Sequence, residues 1–541
     1  MTLKILRTVA AVFFLSALTL FFIDFFGVIP LGWHRLAHIQ LVPLLIDGAV
    51  IGIAAWAILT LLFGRIYCST VCPLGILQDI FSRIARLVNR KKKYKYNPVT
   101  PRRRAMRYGF FVLMLLGFAV PVPILLTLLD PYSNFGRIVT TWLRPLVLLG
   151  NNLVTAISHA MGNYSPFYMP IIFNAPAIIV SLLVFVLVGW LSFRYGRWYC
   201  NSICPVGTLL GLLSRFSIFR VKLNEKCIGC LRCENVCKGE CIDSKKKSVD
   251  MSRCVSCFNC LTTCRKDAIS FGLTPLAIPK TEPKQESKPQ PTQTDTVRRH
   301  VVLVSVAAVL GRGIYRMIPP AFFVSLGVKN ASASTVPETL PSGTSRVSYE
   351  LTHPIFPPGG REIKQFQRRC TGCHLCVSKC PAGILTPAGT EYGVNGFLQP
   401  VVKFQHGFCN YDCTICTQVC PNHALEPLDS AEKKHLVQIG KVHFLKENCV
   451  VNTQNSNCGA CAEHCPTGAV KMVPYGPPEN FLTIPEIDPE LCVGCGACEY
   501  ICPVRPYRAI YIDGQPIHEE AKLAYDPNAK QEVIEIDDFG F

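Results

Sequence analysis

Most of the 29 cysteines in this 541-residue chain recur at short, fixed spacings, and this feature constrains the fold more than any other. Twenty-four of them form six groups of four, four more form two C-x3-C pairs, and Cys241 stands apart. Disulfide frameworks are typical of small secreted chains and do not show such regular local spacing. The pattern therefore predicts thiolate ligands, most of them for iron–sulfur clusters.

The first two groups of four lie in residues 221–273 and have the spacing of a bacterial two-cluster ferredoxin. In that arrangement the fourth cysteine of each group binds the other cluster. Zinc is less favoured, because zinc sites do not need four cysteines in so short a run. Cys241 is an alternative to Cys237 as a ligand. The predicted ligand sets are Cys227, Cys230, Cys233 and Cys264 for one cluster, and Cys254, Cys257, Cys260 and Cys237 for the other.

Four more groups occupy residues 350–541, which we predict to be a four-cluster domain. The first and last groups have regular ferredoxin spacing, whereas the two middle groups carry longer gaps. This difference favours nested pairing, in which the two regular groups exchange their fourth cysteines, and serial pairing is the alternative. The nested sets are Cys370, Cys373, Cys376 and Cys502; Cys492, Cys495, Cys498 and Cys380; Cys409, Cys413, Cys416 and Cys465; and Cys449, Cys458, Cys461 and Cys420.

Residues 1–220 predict an α-helical membrane domain. Half of the whole chain is apolar, and several apolar runs approach the roughly 20 residues that a bilayer requires. Eleven basic and no acidic residues lie between Ile80 and Leu129, which indicates a cytoplasmic loop rather than a nucleic-acid site. The four predicted spans are Val9–Ile29, Val42–Phe63, Tyr108–Leu129 and Ile172–Phe193.

The membrane half repeats itself, because residues 64–75 match residues 196–207 as GRxYCxxxCPxG. Two related halves would bring their C-x3-C pairs together near a pseudo-twofold axis at the cytoplasmic face. Four thiols there can hold a metal or a seventh cluster, form redox disulfides, or only pack. The four cysteines concerned are Cys68, Cys72, Cys200 and Cys204. Near the outer interface, His34 and His38 are candidates for accepting quinol protons or ligating haem, although polar residues at a wet membrane edge are the more favoured interpretation.

Residues 297–328 are predicted to cross the membrane between the two cluster domains. Arg298 and Arg299 precede an apolar run, the pattern of twin-arginine export of folded proteins. An interfacial helix followed by a cytoplasmic domain is the alternative. Sixteen free thiols would not fold safely in an oxidising periplasm, so export after cluster insertion agrees with the pattern. Residues 274–296 and 329–349 are predicted linkers on either side.

The order of these parts resembles two families of ferredoxin-type proteins. Residues 1–273, with two GRxYCxxxCPxG motifs and a two-cluster ferredoxin, resemble NapH-type membrane proteins and their NosR- and MauN-type relatives. The remainder resembles NapG-type ferredoxins in its twin-arginine pattern and in the C-x8-C-x2-C-x3-CP motif at Cys449–Pro466. The resemblance implies a NapH–NapG fusion: an α-helical membrane domain with α+β ferredoxin-like domains, six [4Fe–4S] clusters, and a multi-pass location in the bacterial inner membrane with a periplasmic C-terminal domain.

The resemblance also implies electron transfer from quinol to a periplasmic reductase or cytochrome. A soluble ferredoxin is the alternative donor, and whether the chain is itself a quinol dehydrogenase stays open. A second function class is a maturation or repair factor that reduces a metal or a disulfide in a periplasmic metalloenzyme. A third is a scaffold that holds a complex together, for which six clusters are excessive. The sequence contains no C-x-x-C-H haem site, so the reductase would be another protein.

Overall fold

The computed structural model describes residues 2–89, 93–119, 122–273, 347–477, 479 and 481–522. The predicted crossing segment, the linker before it and most of the linker after it lie outside these residues, so the twin-arginine crossing stays a prediction. The described residues form three parts. We call them the membrane part (2–216), the inner ferredoxin (219–273) and the outer domain (347–522).

Helices build the membrane part, and proline or glycine sets several of their boundaries. Pro73, Pro123, Pro131 and Pro205 lie in the first turns of helices, where a missing N–H removes no hydrogen bond. The helices of seven or more residues are α1 (Thr2–Ile23), α2 (Leu41–Asp47), α3 (Val50–Phe63), α4 (Pro73–Val88), α5 (Pro101–Ala119), α6 (Pro123–Leu129), α7 (Pro131–Ile138), α8 (Arg144–Ala160), α9 (Ala175–Tyr195) and α10 (Pro205–Leu213).

Two of the described helices, α1 and α9, are long and apolar enough to cross a membrane. Only 22% of the most apolar window of α1 and 28% of that of α9 is buried, whereas the core helix of a soluble protein is mostly buried. These helices match the predicted first and fourth spans. The large exposed apolar surface is consistent with lipid contact.

The prediction of four continuous spans is not confirmed. The second predicted span is divided into α2 and α3 at Gly48, which adopts the left-handed conformation with φ +73°. At 1.5 Å per residue, α3 is about 21 Å long, short of the roughly 30 Å of a bilayer core. The third predicted span is likewise divided into α5 and α6, and Pro123 begins the second piece. The hydropathy of the sequence did not predict that these two spans are each divided into two helices.

The inner ferredoxin and the outer domain contact opposite ends of α1. Near the start of the helix, Lys4 donates to the hydroxyl of Thr262 in the inner ferredoxin at 3.3 Å. Directly after its end, Asp24 pairs with Lys379 of the outer domain at 2.6 Å. A 22-residue helix is about 33 Å long, so it holds the two domains apart by roughly the thickness of a bilayer core.

Helix α9 repeats this arrangement in the opposite direction. At its start, the amide of Asn174 donates to the carbonyl of Pro387 in the outer domain at 2.8 Å. Just beyond its end, the backbone N–H of Arg197 donates to the carbonyl of Lys238 in the inner ferredoxin at 2.9 Å. Both long apolar helices therefore extend between the two cluster-bearing domains.

Short antiparallel strand pairs build both cluster-bearing domains, in agreement with the predicted α+β ferredoxin-like class. In the inner ferredoxin, β1 (Phe219–Leu223) pairs with β4 (Ile269–Leu273), and β2 (Ile242–Asp243) pairs with β3 (Ser248–Val249). The outer domain contains one seven-residue helix, α11 (Ile363–Arg369), and three strand pairs. They are β5 (Leu385–Pro387) with β6 (Pro400–Val402), β7 (Val437–Phe444) with β10 (Ile510–Glu520), and β8 (Val470–Pro474) with β9 (Thr483–Ile487).

Candidate iron–sulfur sites

The inner ferredoxin contains a cavity that fits the second predicted cluster. Its empty volume is about 380 Å³, and its remaining walls are mainly apolar, including Val221, Ile242 and Val249. Ser256 and Phe258 adopt positive φ angles of 49° and 59°, which wraps the loop tightly around the cavity. The cysteines that line it are Cys237, Cys241, Cys254, Cys257 and Cys260. Cys237 therefore lies with the second group, as the exchange of fourth cysteines requires.

Five thiols meet at this cavity, although a cluster needs four. The sulfur atoms of Cys237 and Cys241 are 3.4 Å apart, and Cys241 also hydrogen-bonds Cys254. The hydrogen bond between the two thiols lowers the pKa of Cys237 to about 7, although burial opposes the shift. The same hydrogen bond raises the pKa of Cys241 well above its usual range. This arrangement favours Cys237 as the thiolate ligand and Cys241 as an S–H donor beside it.

Replacing Cys241 with Ala is expected to leave the second inner cluster in place, whereas Cys237→Ala should remove it. Loss of the S–H donor should lower the reduction potential of the retained cluster, because hydrogen bonds to the thiolates stabilise its reduced form. Iron content and redox-titrated EPR of the anaerobically purified variants measure both effects. The opposite result, a cluster lost from Cys241→Ala and kept in Cys237→Ala, would make Cys241 the ligand.

The first inner group lies nearer the surface. Cys227, Cys230 and Cys233 are close enough to interact electrostatically, and Cys230 is exposed. Cys264 packs against the same small core as Cys233, and its sulfur accepts the backbone N–H of Ala268 at 3.3 Å. The same core also contains cysteines of the second group, so the assignment of Cys264 to the first cluster stays a prediction.

The thiols of the outer domain group serially, which corrects the nested pairing. The thiol of Cys420, and not that of Cys502, lies with the first three cysteines of the first outer group. The last group receives Cys465 and not Cys380. The sets in the structure are Cys370, Cys373, Cys376 and Cys420; Cys409, Cys413, Cys416 and Cys380; Cys449, Cys458, Cys461 and Cys502; and Cys492, Cys495, Cys498 and Cys465.

The reason for serial pairing lies in the short helices that carry the third cysteine of each group. The helix Leu375–Lys379 packs on Ile415–Gln418, and Ala460–Glu463 packs on Ala497–Ile501, so each two-cluster unit is built from groups that are neighbours in sequence. The eight-residue gap is absorbed by a separate helical turn, Val450–Gln454, and leaves the pairing unchanged. The irregular gaps between cysteines therefore do not indicate which groups exchange their fourth cysteines.

The two outer units touch through their second and last groups. The backbone N–H of Cys409 donates to the carbonyl of Cys495 at 2.9 Å. A cavity with an empty volume of about 270 Å³ lies between them and is lined by both cysteines and by Lys434. The four groups of the outer domain consequently form a continuous series.

The structure brings together the four cysteines of the membrane repeat, all of them buried. The arginines of the two repeats exchange contacts: Arg65 donates to the carbonyl of Cys200 at 3.0 Å, and Arg197 donates to the carbonyl of Cys68 at 2.6 Å. A Cβ atom at Gly75 or Gly207 would overlap these carbonyls, which explains the glycine at the end of each motif. The predicted pseudo-twofold arrangement is thus present in the contacts.

The surroundings of these thiols suit a negatively charged centre. Arg65 is fully buried and has no carboxylate partner within the described residues. The amide of Gln78 donates to the Cys200 sulfur at 3.1 Å, and the N–H of Gly207 donates to Cys204 at 3.4 Å. A buried guanidinium is stabilised by a nearby anion, and thiolates bound to a metal supply one. Across the described part of the chain, no three His, Cys, Asp or Glu side chains converge closely enough to hold a single ion.

An ion-pair cluster connects the membrane thiols to the inner ferredoxin. Asp79 is buried and pairs with Arg197 at 2.8 Å, with Lys238 at 3.1 Å, and with Arg7. Lys238 follows the ligand Cys237, and Asp79 also interacts with Cys257 of the second inner group. The cluster therefore fixes that group against the motif that carries Cys200.

Helix α7 connects the membrane thiols to the first outer group. Arg137 is fully buried and donates to the carbonyl of Gly372, between two ligands of that group, at 3.2 Å. Ser133 donates to the hydroxyl of Thr371 at 2.7 Å. Tyr199, which precedes Cys200, interacts electrostatically with both Arg137 and Asp130. No signal in the sequence marked α7 as this connection.

The candidate histidines lie where the membrane part meets the outer domain. His34 is buried and stacks on Phe21 at 4.6 Å. The His38 ring lies 5.1 Å from that of His423, which pairs with Asp47 at 3.0 Å. Sequence reasoning missed His423. Its position just after the fourth cysteine of a group, beyond Pro421, was the available signal.

Family models match most of the cysteine-bearing segments. A 4Fe-4S binding domain matches residues 48–95 and 175–224, whose only cysteines are those of the membrane repeat. Models of 4Fe-4S dicluster domains match residues 369–425, 408–469 and 456–505. The match at 369–425 covers the first serial unit of the outer domain, the match at 456–505 covers most of the second, and the match at 408–469 spans groups of both units.

Several curated proteins are similar to parts of this chain. The ferredoxin-type protein MauM of Methylobacillus flagellatus is 31% identical over 159 residues, which cover 27% of this chain and 63% of that protein. NapF of Escherichia coli is 28% identical over 29% of this chain and 85% of NapF. NapH of Haemophilus influenzae is 27% identical over 35% of this chain and 52% of NapH.

The chain spans about half the length of the NapH relative and somewhat less than two thirds of the MauM relative. No solved structure matches it. The named relatives and the repeated 4Fe–4S domains confirm the resemblance that the cysteine motifs indicated, and they support a role in electron transfer. The chain is a NapH-like, ferredoxin-type iron–sulfur protein.

Proposed function

We propose that this protein carries electrons at the bacterial inner membrane, from quinol or a cytoplasmic donor to a periplasmic reductase or cytochrome. One observation carries the proposal: groups of cysteines follow each other from the inner ferredoxin, through the membrane thiols, to the far end of the outer domain. When bound, iron–sulfur clusters would each take up and release single electrons along this series.

The two cluster-bearing domains contact opposite ends of α1 and α9, which supports placing them on opposite sides of a bilayer. The basic start of α5 lies at the inner end, where Arg103 pairs with Glu240 of the inner ferredoxin at 3.5 Å. Positive charge marks the cytoplasmic side of membrane proteins. The inner ferredoxin is accordingly cytoplasmic in this proposal, and the outer domain is periplasmic.

A bilayer core of about 30 Å is too thick for one unaided electron transfer step, so a crossing path needs a centre within it. The four membrane thiols are the residues that would hold that centre. Buried donors surround them, and the matching family model is that of a 4Fe–4S binding domain. We therefore include a seventh iron–sulfur centre in the proposal, held by the C-x3-C pairs of both repeats.

Quinol oxidation also releases protons, which must leave the site. His34 and His38 lie at the boundary between the membrane part and the outer domain, close to the first outer group. This position supports quinol as the donor, and we propose that its oxidation takes place at the outer end of the membrane part. A reduced soluble ferredoxin would instead enter at the exposed first group of the inner ferredoxin.

Anaerobic EPR of the purified protein in liposomes tests the donor. Addition of a menaquinol analogue should rapidly produce reduced-cluster signals, and an artificial acceptor outside the vesicles should then sustain quinol consumption. The oxidised quinone serves as the control. If only dithionite or a reduced soluble ferredoxin produced the signals, quinol would not be the donor. Reduction of a single equivalent of a partner, without sustained flux, would favour the maturation or repair factor.

A further inference from the structure

A cleft lies between the membrane part and the inner ferredoxin, and the proposed electron path does not use it. Its empty volume is about 370 Å³. None of the 29 cysteines lines it. The charged and aromatic residues of its wall are Arg103, Arg107, Lys238, Arg253, Glu240, Tyr195 and Trp198. The excess of positive charge distinguishes it from the apolar cavity that fits the second inner cluster.

Three of the four basic residues have carboxylate partners, but Arg107 has none within the described residues. Arg103 pairs with Glu240, Lys238 with Asp79, and Arg253 with Asp250. Arg107 is 4% exposed and donates only to the hydroxyl and the carbonyl of Ser252, at 3.3 and 3.1 Å. The nearby carboxylate of Asp250 is already paired with Arg253 at 2.8 Å, so Arg107 has no carboxylate of its own, which is unfavourable unless a ligand supplies an anion.

Two guanidinium nitrogens of residues in the cleft wall also lack hydrogen-bond partners among the described residues. They are Nε of Arg107 and Nη2 of Arg253, a residue that is only 5% exposed. Planar guanidinium groups with free N–H donors match the oxygens of phosphate well. Two buried, unpartnered donors on residues that line the same cleft indicate a site for an anion rather than a gap between domains.

The position of the cleft indicates where such an anion would come from. Trp198 and Tyr195 form its aromatic wall, and Tyr195 is the last residue of α9. The neighbouring apolar residues Trp190 and Phe193 on α9 are exposed. Aromatic residues at the end of an apolar helix mark the boundary between the acyl chains and the headgroups of a bilayer. Basic pockets at this level suit the phosphate of an acidic lipid.

We propose that this cleft binds a phosphate group through Arg107 and Arg253. The phosphate belongs either to an acidic phospholipid or to a free phosphate ion, and both would neutralise Arg107 and join α5 to the loop before Cys254. This inference rests on the proposed function in one respect, namely that the inner ferredoxin lies beside lipid headgroups. It does not depend on the donor or on the direction of electron flow.

The test uses the full-length protein, purified in detergent with its clusters. Binding of short-chain phosphatidylglycerol, inorganic phosphate and a neutral diacylglycerol is measured by thermal shift and native mass spectrometry. The Arg107→Gln variant should bind the phosphate ligand about tenfold more weakly or worse, because it loses a charge-assisted contact. Arg104→Gln, which removes the same charge from an exposed position of α5, is the matched control and should bind normally.

The outcomes separate the two sources. Retention of phosphatidylglycerol but not phosphate assigns a lipid site, and equal binding of phosphate assigns a free-anion site. Equal binding by Arg107→Gln and the unmodified protein, or no preference over the neutral lipid, overturns the proposal. If Arg107→Gln fails to fold, Arg107→Lys keeps the charge and should bind with intermediate affinity. Quinol-driven EPR signals are measured on the same variants. Normal signals together with unchanged phosphate binding would contradict the phosphate site and leave the proposed electron transfer intact.

Discussion

Replacing Cys68 and Cys200 together with Ala is expected to abolish electron transfer between the inner ferredoxin and the outer domain. These two cysteines come from different repeats, and each contributes a backbone carbonyl to the arginine of the other. Losing both leaves one thiol in each pair, which cannot hold a four-thiolate centre. The ferredoxin-type groups on either side keep all of their own cysteines and should retain their clusters.

The measurement uses sealed vesicles with the inner ferredoxin facing outwards. Reduced soluble ferredoxin is added outside, and rapid-freeze EPR follows the appearance of reduced clusters in the outer domain. Ser202→Ala, a small change at a buried position of the same motif, is the matched control and should transfer normally. Unchanged transfer in the double variant would show that the membrane thiols do not lie on the electron path.

Combining Cys373→Ala with Cys420→Ala is expected to remove only one cluster, about four iron atoms per protein, because the structure places both thiols in the first outer group. Combining Cys373→Ala with Cys502→Ala should remove two clusters, about eight iron atoms, because Cys502 belongs with Cys449. The two double variants remove the same number of thiols and so control for each other.

Iron and sulfide analysis of the anaerobically purified variants measures this difference, and EPR identifies the signals that are lost. Nested pairing predicts the reverse, with the larger loss from Cys373→Ala with Cys420→Ala. The variant that lacks only the first outer cluster should also lose transfer from the membrane part. Arg137 and Ser133 of α7 contact the loop of this group, which makes it the entry to the outer domain.

The contact between α7 and the first outer group depends on residues that are far apart in the sequence, so no local motif predicts it. A Cβ atom at Gly136 would overlap the carbonyl of Cys373 and the ring of Phe22, so the close approach of α7 to the outer domain depends on this glycine. The membrane part and the outer domain share one continuous apolar core, whereas the inner ferredoxin has a small core of its own. Contacts of this kind join residues more than two hundred positions apart.

The cysteine spacing by itself determined the class of this protein and the number of ferredoxin-type groups, and it predicts the ligands of the inner ferredoxin. Tight loops around a cluster use ligands that are close in sequence, so their chemistry is visible in a motif. The matched C-x3-C motifs likewise indicated that two distant pairs would meet, because repeated sequence implies repeated structure. The twin-arginine crossing rests on sequence alone.

Only the tertiary structure decided which group supplies each fourth cysteine, because that ligand arrives from another segment and its partner depends on how short helices pack. It also divided two predicted spans, since hydropathy averages over the glycine and proline that interrupt a helix. The roles of Arg137 and Asp79 were equally hidden. The role of a buried charged side chain depends on its ion-pair and hydrogen-bond partners, and these partners come from distant parts of the chain.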